Sequence, residues 1–502
     1  MDSATPINRA PATTLGVRNF GLLFIATLLF HVAGSWSLPL VDRDEPRFAE
    51  ASREMLERRD FVIPYFNNQY RFDKPPLTYW FQAASYRLFG ESEFAARLPS
   101  AIAAALTALV LLAWGNRVAG AQVGWWAAIM FTICWQTVVH GKAAVADMWL
   151  VLFVTLAHWA GYELLRDRFG RQERATFNEK VARPGARWWW IFYLALAFAF
   201  LAKGPIGWTP LLAVAATKFF IPDAQLARRF LFLTGSALTL AVVAVWGIPA
   251  LVRTNGEFFD IGIGKHVIDR SMVAMEGHGS RSFWTYFALL PLYFVTVFVT
   301  FFPWSFSLPG LARRLWRQRD PLDNYLIAGT AVVFLIFTFV RTKLPHYTLP
   351  AFPLLALLLA KSFASKPQAS WFVRRTAIAA GAVALLIAAG TPIAGRHLPA
   401  LQLLRQAQAD LTPDMEWGAA RYKEPSLVWY FRRHVRGFLT DLDRESLTQF
   451  METPGPRFVI LPSKLAAETY PTTPPSWKTY TVRGINTASV KWIDLTMLLK
   501  HE

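Results

Sequence analysis

The charged residues with the clearest chemical potential lie in the stretch 41–47, directly after the first apolar run of the chain. Asp44 and Glu45 are adjacent carboxylates there, and Arg47 follows two positions later. A carboxylate in such a cluster can orient or remove the proton of a hydroxyl group, and a guanidinium can bind an anion. The alternative is that these carboxylates only anchor the chain at the bilayer surface. We interpret Asp44 and Glu45 as catalytic candidates and Arg47 as a further cavity residue.

A second polar cluster, 70–76, ends in two consecutive prolines. Lys74 immediately precedes them, and their restricted backbone fixes the direction in which its ammonium group points. A lysine held in this way suits a phosphate group. The alternative is a lysine that extends its ammonium group towards water at the start of an interfacial helix. The sequence predicts a phosphate-binding role for Lys74 and a place in the same cavity for Tyr70.

Two further charges lie at the ends of later apolar runs. Asp147 follows Lys142 by five positions, and Lys203 occurs in an Ala-Lys-Gly-Pro segment. Charges at membrane depth are costly, so they are usually functional or paired. Asp147 could form a structural ion pair with Lys142 or with Lys203, and such a pair would not exclude catalysis. We predict Asp147 as a catalytic candidate and Lys203 as a phosphate-binding candidate.

The remaining candidates are cations, histidines and a tyrosine in two later loops. They are His266 and Arg270 in the loop 253–282, and Lys343, His346 and Tyr347 in the turn 341–347. These groups would form an anion site beside the carboxylates. A divalent metal held by Asp73, His266 and His346 is an alternative that the residue types allow, although the spacing matches no zinc-protease or cysteine-based pattern. Apart from this metal, no cofactor is predicted.

The elements that must position these residues are membrane-spanning helices. The chain has 502 residues, of which 54% are hydrophobic, and its mean hydropathy is +0.28, which is high for a soluble enzyme. Apolar runs of about 16 to 25 residues can cross the ~30 Å of hydrocarbon. Such runs begin near Phe20, Pro99, Val123, Ala143, Trp188, Ile206, Phe230, Phe283, Leu326, Tyr347 and Ala377. We predict about eleven or more transmembrane helices, with an uncleaved first span.

The net charge of +18 reports membrane topology rather than binding to nucleic acid, because the basic residues fall in short loops between apolar runs. With eleven crossings, the basic clusters at 166–187, 228–229, 313–319 and 361–375 all lie on one side. The positive-inside rule makes that side cytoplasmic. The sequence therefore predicts a multi-pass protein of the bacterial inner membrane, with a cytoplasmic N-terminus and its candidate site on the periplasmic face.

The chain divides by composition into two predicted domains. Residues 1–395 form the transmembrane domain, and residues 396–502 form a small periplasmic α/β domain of mixed polar composition. Apolar residues at helical spacing indicate amphipathic helices in the external loop 41–98, whereas β-rich runs between Pro and Gly indicate strands near the C-terminus. The predicted helices are Glu45–Arg58 and Pro76–Phe89, and the predicted strands are Arg457–Leu461 and Lys478–Val482.

Four motifs in this order resemble the GT-C glycosyltransferases, specifically the bacterial 4-amino-4-deoxy-L-arabinose lipid A transferases and their protein O-mannosyltransferase relatives. The motifs are Asp-Glu-Pro-Arg-Phe-Ala-Glu at 44–50, the segment 72–76, Lys-Gly-Pro at 203–205 and Lys-Leu-Pro-His-Tyr at 343–347. The resemblance spans roughly 20–353. It implies that Asp44 is the key loop carboxylate, that Lys74 and Arg270 bind the donor phosphate, and that Lys203 and Asp147 complete the cavity. Asp73 stands where those transferases usually have Glu.

The function that the resemblance implies is transfer of a sugar from a polyprenyl-phosphate donor. The predicted acceptor is lipid A, lipopolysaccharide or another lipid or glycan of the cell envelope, and a single displacement predicts inversion at the anomeric carbon. Membrane lipids are the remaining predicted partners. The alternatives are a flippase or transporter of lipid-linked sugars, a protein O-glycosyltransferase, and a subunit without catalysis. Transporters place ionisable residues near the midplane, whereas here they cluster at the outer ends of the runs.

Overall fold

The computed structural model describes residues 15–169, 186–219, 229–269, 283–366 and 368–502. Most of this part is helical. The α-helices before residue 220 are Val17–Val32, Asp44–Arg58, Leu77–Phe89, Glu93–Ala119, Ala121–Ile133, Trp135–Gly141, Asp147–Phe169, Ala186–Lys203 and Thr209–Ala216. Those from 229 to 395 are Phe232–Arg253, Glu257–Phe259, Phe283–Ala288, Leu292–Thr300, Leu308–Arg317, Pro321–Phe339, Phe352–Ala364 and Ala369–Gly395. Asp260–Asp269 is π-helical. The 3₁₀ segments are Pro205–Trp208, Thr217–Phe219, Trp304–Ser307 and Pro345–Ala351.

Each of the eleven predicted apolar runs coincides with helical structure. In the described part of the chain, six helices are long and apolar enough to cross a membrane, or seven if the bent pair Leu292–Thr300 and Trp304–Arg317 forms one span. Two shorter apolar helices, Val17–Val32 and Ala121–Ile133, match two further runs. The multi-span helical fold is thus confirmed, while the number of eleven crossings stays a prediction.

The helices pack around one large apolar core, in which small residues allow close approach. Gly115 in helix Glu93–Ala119 lies against Gly124 in helix Ala121–Ile133, and a Cβ atom built on Gly115 would come within 2.5 Å of the Gly124 Cα. Any larger side chain would separate the two helices. Close backbone approach at small residues is a general means of helix packing in membranes, where lipid removes most of the hydrophobic driving force.

A buried arginine joins the first helix to the loop that follows it. Arg97 is 1% exposed and binds both carboxylate oxygens of Glu45, at 2.8 and 2.7 Å. Its remaining guanidinium bonds go to the backbone carbonyls of Ser35, Leu38 and Pro39, at 3.1, 2.5 and 2.9 Å. Each nitrogen of this buried guanidinium group therefore donates to an acceptor. Arg97 thus links the segment after the first helix to the start of helix Asp44–Arg58.

The predicted external-loop helices are present, as Asp44–Arg58 and Leu77–Phe89. A short antiparallel hairpin joins them, with strands β1 (Tyr65–Phe66) and β2 (Gln69–Tyr70). Helix Asp44–Arg58 is buried along most of its length, because helix Leu77–Phe89 packs on one side of it and the C-terminal part of the chain on another. It therefore does not present a free amphipathic face.

The C-terminal part of the chain forms a five-stranded mixed sheet with helices. Its strands are β3 (Glu416–Ala420), β4 (Leu439–Leu442), β5 (Arg457–Pro462), β6 (Lys478–Asn486) and β7 (Lys491–Lys500), and its helices are Pro399–Ala407, Pro425–Phe431, Arg444–Glu452 and Ser463–Thr469. The sheet order is β4-β3-β5-β7-β6. Strand β3 is parallel to β4 and β5, whereas β7 is antiparallel to β5 and β6. Both predicted C-terminal strands lie within β5 and β6.

Buried charges hold this sheet domain against helix Asp44–Arg58. Glu50 is fully buried and accepts a hydrogen bond from Arg432 at 2.6 Å, and it also pairs with Arg53. Arg53 in turn donates to the Trp429 carbonyl at 3.3 Å and lies 4.8 Å from the Trp429 ring centroid. Burial raises the pKa of Glu50, while the two arginines oppose that shift. The interface therefore depends on charges that compensate one another.

Asp42 forms a second buried contact with the sheet domain. Its carboxylate accepts hydrogen bonds from the amide and the hydroxyl of Ser426, at 2.8 and 2.6 Å. Burial raises the pKa of Asp42 to about 7, although these hydrogen bonds and Arg47 lower it; Glu424 raises it further. Between about pH 4 and pH 7 the folded protein therefore retains a proton on Asp42 that the unfolded chain releases.

We expect Arg97→Met to lower the free energy of unfolding by about 3–5 kcal/mol, because it leaves Glu45 as an unpaired buried charge. Thermal unfolding of the purified protein in detergent would measure this loss. Arg87→Met is the matched control, since Arg87 is exposed and lies over the Phe61 ring at 5.6 Å. Equal unfolding temperatures for both variants would contradict the structural role of Arg97.

The free energy of unfolding should depend on pH through Asp42. Because the pKa of Asp42 rises from 3.8 to about 7 on folding, its contribution is complete below about pH 4 and is lost as the pH rises through 7. At ~1.4 kcal/mol per pKa unit, the effect is on the order of a few kcal/mol. Asp42→Asn should flatten the unfolding temperature between pH 5 and pH 8. Parallel pH profiles for the variant and the wild type would refute the assignment.

Candidate active site

An ion pair between two helix ends forms the centre of the candidate site. Asp147 is the first residue of helix Asp147–Phe169, and Lys203 is the last residue of helix Ala186–Lys203. Their Oδ1 and Nζ atoms are 2.5 Å apart, and both side chains are largely buried. Of the two lysines that the sequence offered to Asp147, the structure selects Lys203. Lys142 instead donates to the carbonyls of Phe30, His31 and Ala33, at 2.5, 3.3 and 2.8 Å, at the C-terminus of the first helix.

Two imidazoles lie beside this ion pair. His346 Nε2 is 4.0 Å from Asp147 Oδ1, and the rings of His346 and His140 are 5.0 Å apart between centroids. Tyr347 completes the group, with its ring centroid 5.9 Å from Lys203 Nζ and its ring edge-on to His346. The site therefore combines one ion pair with three rings that can donate and accept hydrogen bonds.

One ligand atom from each of His140, Asp147 and His346 lies within 4.8 Å of the others, which is close enough to hold a metal ion. His346 belongs to the metal set that the sequence suggested, whereas Asp73 is not a member of this cluster and the His266 side chain lies outside the described part of the chain. The Lys203 ammonium pairs with Oδ1 of Asp147, the one carboxylate of this cluster. A divalent cation bound here would lie beside that positive charge, and their repulsion disfavours a metal.

A second polar group is centred on Asp73 and Lys74. Arg71 bonds Asp73 Oδ2 at 3.0 Å and the Tyr79 hydroxyl at 3.0 Å, and Lys74 Nζ is 3.9 Å from Asp73 Oδ1. Burial alone would lower the pKa of Arg71. The interactions with Tyr79, Asp73 and Asp44 outweigh burial and raise this pKa above the ordinary value. Arg71 and Lys74 thus place two cations beside Asp73, and cations of this kind can bind a phosphate.

Asp44 lies within electrostatic range of both groups. It is the first residue of helix Asp44–Arg58 and is exposed. Its charge acts on Arg71 in the second group and on His140 beside the central ion pair. An exposed carboxylate at this position can reach a bound molecule without first breaking an internal pair. Among the sequence candidates, Asp44 thus has the position best suited to contact a substrate.

Several other candidates have structural partners. Glu45 is held by Arg97 and accepts hydrogen bonds from the amides of Val41 and Ala144, both at 2.8 Å. Lys343 donates to the carbonyls of Phe337 and Thr338, at 2.8 and 2.5 Å, at the end of helix Pro321–Phe339. These contacts favour helix connection and capping over catalysis for both side chains.

The last candidates lie at the edge of the site or outside the described residues. Tyr70 is 45% exposed and stacks on Phe72 at 5.3 Å, and Arg47 is half-buried near Asp42. Arg270 falls outside the residues that the structure describes. His266 lies in the π-helical segment, but its side chain is outside the described part as well. Their proposed roles stay predictions from the resemblance.

Three residues in these groups were not singled out from the sequence: Arg71, Tyr79 and His140. His140 precedes Lys142 at the junction of two apolar runs, and a polar residue at that position was the available signal. Arg71 lies in the cluster 70–76, but the phosphate-binding role was predicted for Lys74 instead. Tyr79 gives no signal in the sequence, because it lies among the apolar residues of helix Leu77–Phe89.

Comparison with known proteins identifies similar chains. The family model described as dolichyl-phosphate-mannose-protein mannosyltransferase matches residues 73–173. The undecaprenyl phosphate-α-4-amino-4-deoxy-L-arabinose arabinosyl transferase 2 of Sodalis glossinidius is 31% identical over 353 residues, which cover 68% of this chain and 58% of that protein. The transferase 2 of Proteus mirabilis is 27% identical over 358 residues, covering 70% and 60%. The chain matches about three fifths of the length of these curated relatives.

Solved structures give the same fold over almost the whole chain. The crystal structure of ArnT from Cupriavidus metallidurans bound to undecaprenyl phosphate has a TM-score of 0.76 and 19% sequence identity, and the match covers 96% of this chain and 98% of that one. An arabinofuranosyltransferase from Mycobacteria, AftD, matches with a TM-score of 0.52 over 98% of this chain and 40% of its own. At these identities the likeness establishes the fold.

We expect Lys203→Met to create an affinity for zinc, because it frees the Asp147 carboxylate for His140 and His346. Added Zn²⁺ should raise the unfolding temperature of the variant and leave that of the wild type unchanged, and a chelator should reverse the shift. The double variant Lys203→Met/His346→Ala is the control and should show no zinc response. Zinc stabilisation of the wild type would show that Lys203 does not exclude the cation.

Proposed function

The chain belongs to the GT-C glycosyltransferase superfamily and resembles, within it, the bacterial 4-amino-4-deoxy-L-arabinose lipid A transferases, and on that premise we propose that it transfers a sugar from a polyprenyl-phosphate donor to an envelope acceptor. One observation carries the proposal. The exposed Asp44 carboxylate lies within electrostatic range of two polar groups, the cations Arg71 and Lys74 around Asp73 and the ion pair of Asp147 and Lys203 with its histidines.

This arrangement suits a lipid-linked phosphosugar because it separates two chemical tasks. Lys74 and Arg71 provide positive charge for the phosphate, while Asp147, His140 and His346 provide hydrogen-bonding groups for a sugar ring. The Tyr347 ring adds an apolar face of the kind on which sugar C–H groups pack. The names of the similar transferases point to undecaprenyl phosphate as the carrier. The sugar itself is left open, since Asp73 replaces the usual Glu.

The proposed reaction is a single displacement at the anomeric carbon. An acceptor oxygen forms the new bond to that carbon while the bond to the phosphate oxygen breaks, and the polyprenyl phosphate leaves with both electrons. Lys74 stabilises the growing negative charge of the leaving group, and Arg270 is the second cation by resemblance. Asp44 removes the proton of an acceptor hydroxyl, or positions an acceptor phosphate that needs no base. The product has the inverted configuration.

The location that supports this reaction is the periplasmic face of the inner membrane. The positive-inside pattern of the sequence places the loop 41–98, the turn 341–347 and the C-terminal sheet domain together outside the cytoplasm. The domain division at residue 395 is part of the same proposal. Lipid A, lipopolysaccharide and other envelope glycans or lipids are then the accessible acceptors, and a protein hydroxyl is the alternative.

A flippase of lipid-linked sugars is the competing function. Alternating access requires a site near the middle of the spans that opens to each side in turn. Asp147 begins its helix and Lys203 ends its own, so the central ion pair lies at helix ends. Asp44 and Lys74 lie in the segment between the first and the fourth helices. This placement favours catalysis on a carrier that already faces one side.

The fourth prediction tests the transfer itself. Purified wild type should move labelled sugar from at least one of a panel of polyprenyl-phosphate donors to cell-envelope fractions. Asp44→Asn should lower the rate by about 10²- to 10⁴-fold, the usual contribution of a general base, if the acceptor is a hydroxyl. Lys74→Ala should also lower the rate strongly, because it removes charge from the leaving phosphate.

The controls are surface charges of the same loop. Asp60→Asn removes a carboxylate that pairs with Arg253 at 3.0 Å, and Arg59→Ala removes an exposed cation; both variants should retain transfer. If Asp44→Asn and Lys74→Ala fold and transfer like these controls, the active site lies elsewhere. Movement of the donor across liposomes without transfer by any protein would favour the flippase.

A further inference from the structure

We propose that the C-terminal sheet domain positions the Asp44 carboxylate through helix Pro425–Phe431, with Ser426 as a positioning residue. The inference rests on the proposed function, since it gives the sheet domain a role in the reaction that Asp44 supports. No side-chain hydrogen bond or ion pair of Asp44 occurs within the described part of the chain. The position of Asp44 is therefore set by its backbone, and hence by its neighbours in sequence.

The residues just before Asp44 are bound to the sheet domain. The Leu40 amide donates to the Tyr430 hydroxyl at 3.1 Å. Asp42 accepts two hydrogen bonds from Ser426, at 2.8 and 2.6 Å. Arg43 Nε is 3.4 Å from a Glu424 carboxylate oxygen. Three of the four residues that precede Asp44 thus contact the short segment 424–430.

The residue just after Asp44 is bound to the membrane domain instead. Glu45 is held by Arg97 from helix Glu93–Ala119 and by the Ala144 amide near the start of helix Asp147–Phe169. Asp44 therefore lies at the boundary between two anchors, one in each domain. The anchor in the membrane domain also lies close along the chain to Asp147. Movement of the sheet domain would change the distance between Asp44 and Asp147.

The segment 424–430 is itself rigidly held, as a positioning element must be. Glu424 accepts a hydrogen bond from the Asn486 side chain in β6 at 3.1 Å. At the other end, Arg432 bonds Glu50, and Arg53 bonds the Trp429 carbonyl. Ser426, Trp429 and Phe431 are fully buried. An error of about 1 Å in the position of a reacting group can cost roughly 100-fold in rate, so such rigidity has a kinetic consequence.

The test combines steady-state transfer kinetics with hydrogen–deuterium exchange on the full-length protein in detergent. Ser426→Ala removes one bond to Asp42, and Tyr430→Phe removes the bond to Leu40. Each should lower kcat by roughly 10- to 100-fold while the KM for the donor changes little, because Lys74 is untouched. Each should also increase amide exchange in the stretch 38–47.

Ser446→Ala is the matched control. Ser446 lies in the same domain and completes the capping box of helix Arg444–Glu452 with Asp443, far in sequence from the segment 424–430. It can lower stability but should leave kcat and the exchange of 38–47 unchanged. If Ser426→Ala and Tyr430→Phe also leave kcat unchanged in a protein that transfers sugar, the sheet domain does not position Asp44.

Failure of the proposed function gives a different pattern. If the wild type transfers sugar from no donor, the glycosyltransferase assignment fails, and the exchange measurement alone then decides the positioning. Faster exchange in the stretch 38–47 for Ser426→Ala and Tyr430→Phe, but not for Ser446→Ala, would still support it. Unchanged exchange in all three variants would overturn it.

Discussion

The guanidinium of Arg97 is the constraint on which the candidate site depends. A buried arginine is tolerated only when each of its donors has a partner, and here the partners come from the segment 35–39 and from Glu45. Since these residues belong to the chain that leaves the first helix, that chain cannot move relative to helix Glu93–Ala119. Asp44 emerges from this fixed segment, and Glu45 also binds the Ala144 amide. The buried Arg97 side chain thus holds the start of the external loop against the membrane-spanning helices.

The sequence predicted the helices well because hydrophobic length and periodicity are local properties. All eleven apolar runs became helical, and both external-loop helices were predicted to within about one residue of their observed ends. The sequence could not reveal the burial of helix Asp44–Arg58. Its charged residues Glu50 and Glu54 indicate a solvent-exposed helix, yet both are buried and pair with Arg432 of the sheet domain. That partner is nearly 400 positions away, and local patterns do not contain such pairings.

Because local sequence patterns do not contain distant partners, they also could not show which predicted site residues have partners within the protein. Residue type and membrane context selected Asp147 and Lys203, and the cost of an isolated charge in the bilayer predicted a partner for Asp147 but left Lys142 and Lys203 both open. The charged clusters of the loops selected Glu45 and Lys343 as well, but in the structure Glu45 pairs with Arg97 and Lys343 donates to helix carbonyls. Membrane depth therefore identifies charges that need partners. It does not distinguish partners within the protein from partners in a substrate, and only the packed structure makes that distinction.

The arrangement of charges also argues for transfer over transport on energetic grounds. A transporter must release its anionic cargo on the far side, so its cations cannot be held against fixed carboxylates in only one geometry. Here Lys203 is bound to Asp147 where two helices end, and Lys74 shares Asp73 with Arg71. Such preorganisation is favourable when charge develops in a transition state, because the site does not reorganise during the reaction. For a carrier that must change conformation in every cycle, the same fixed pairs would be an obstacle.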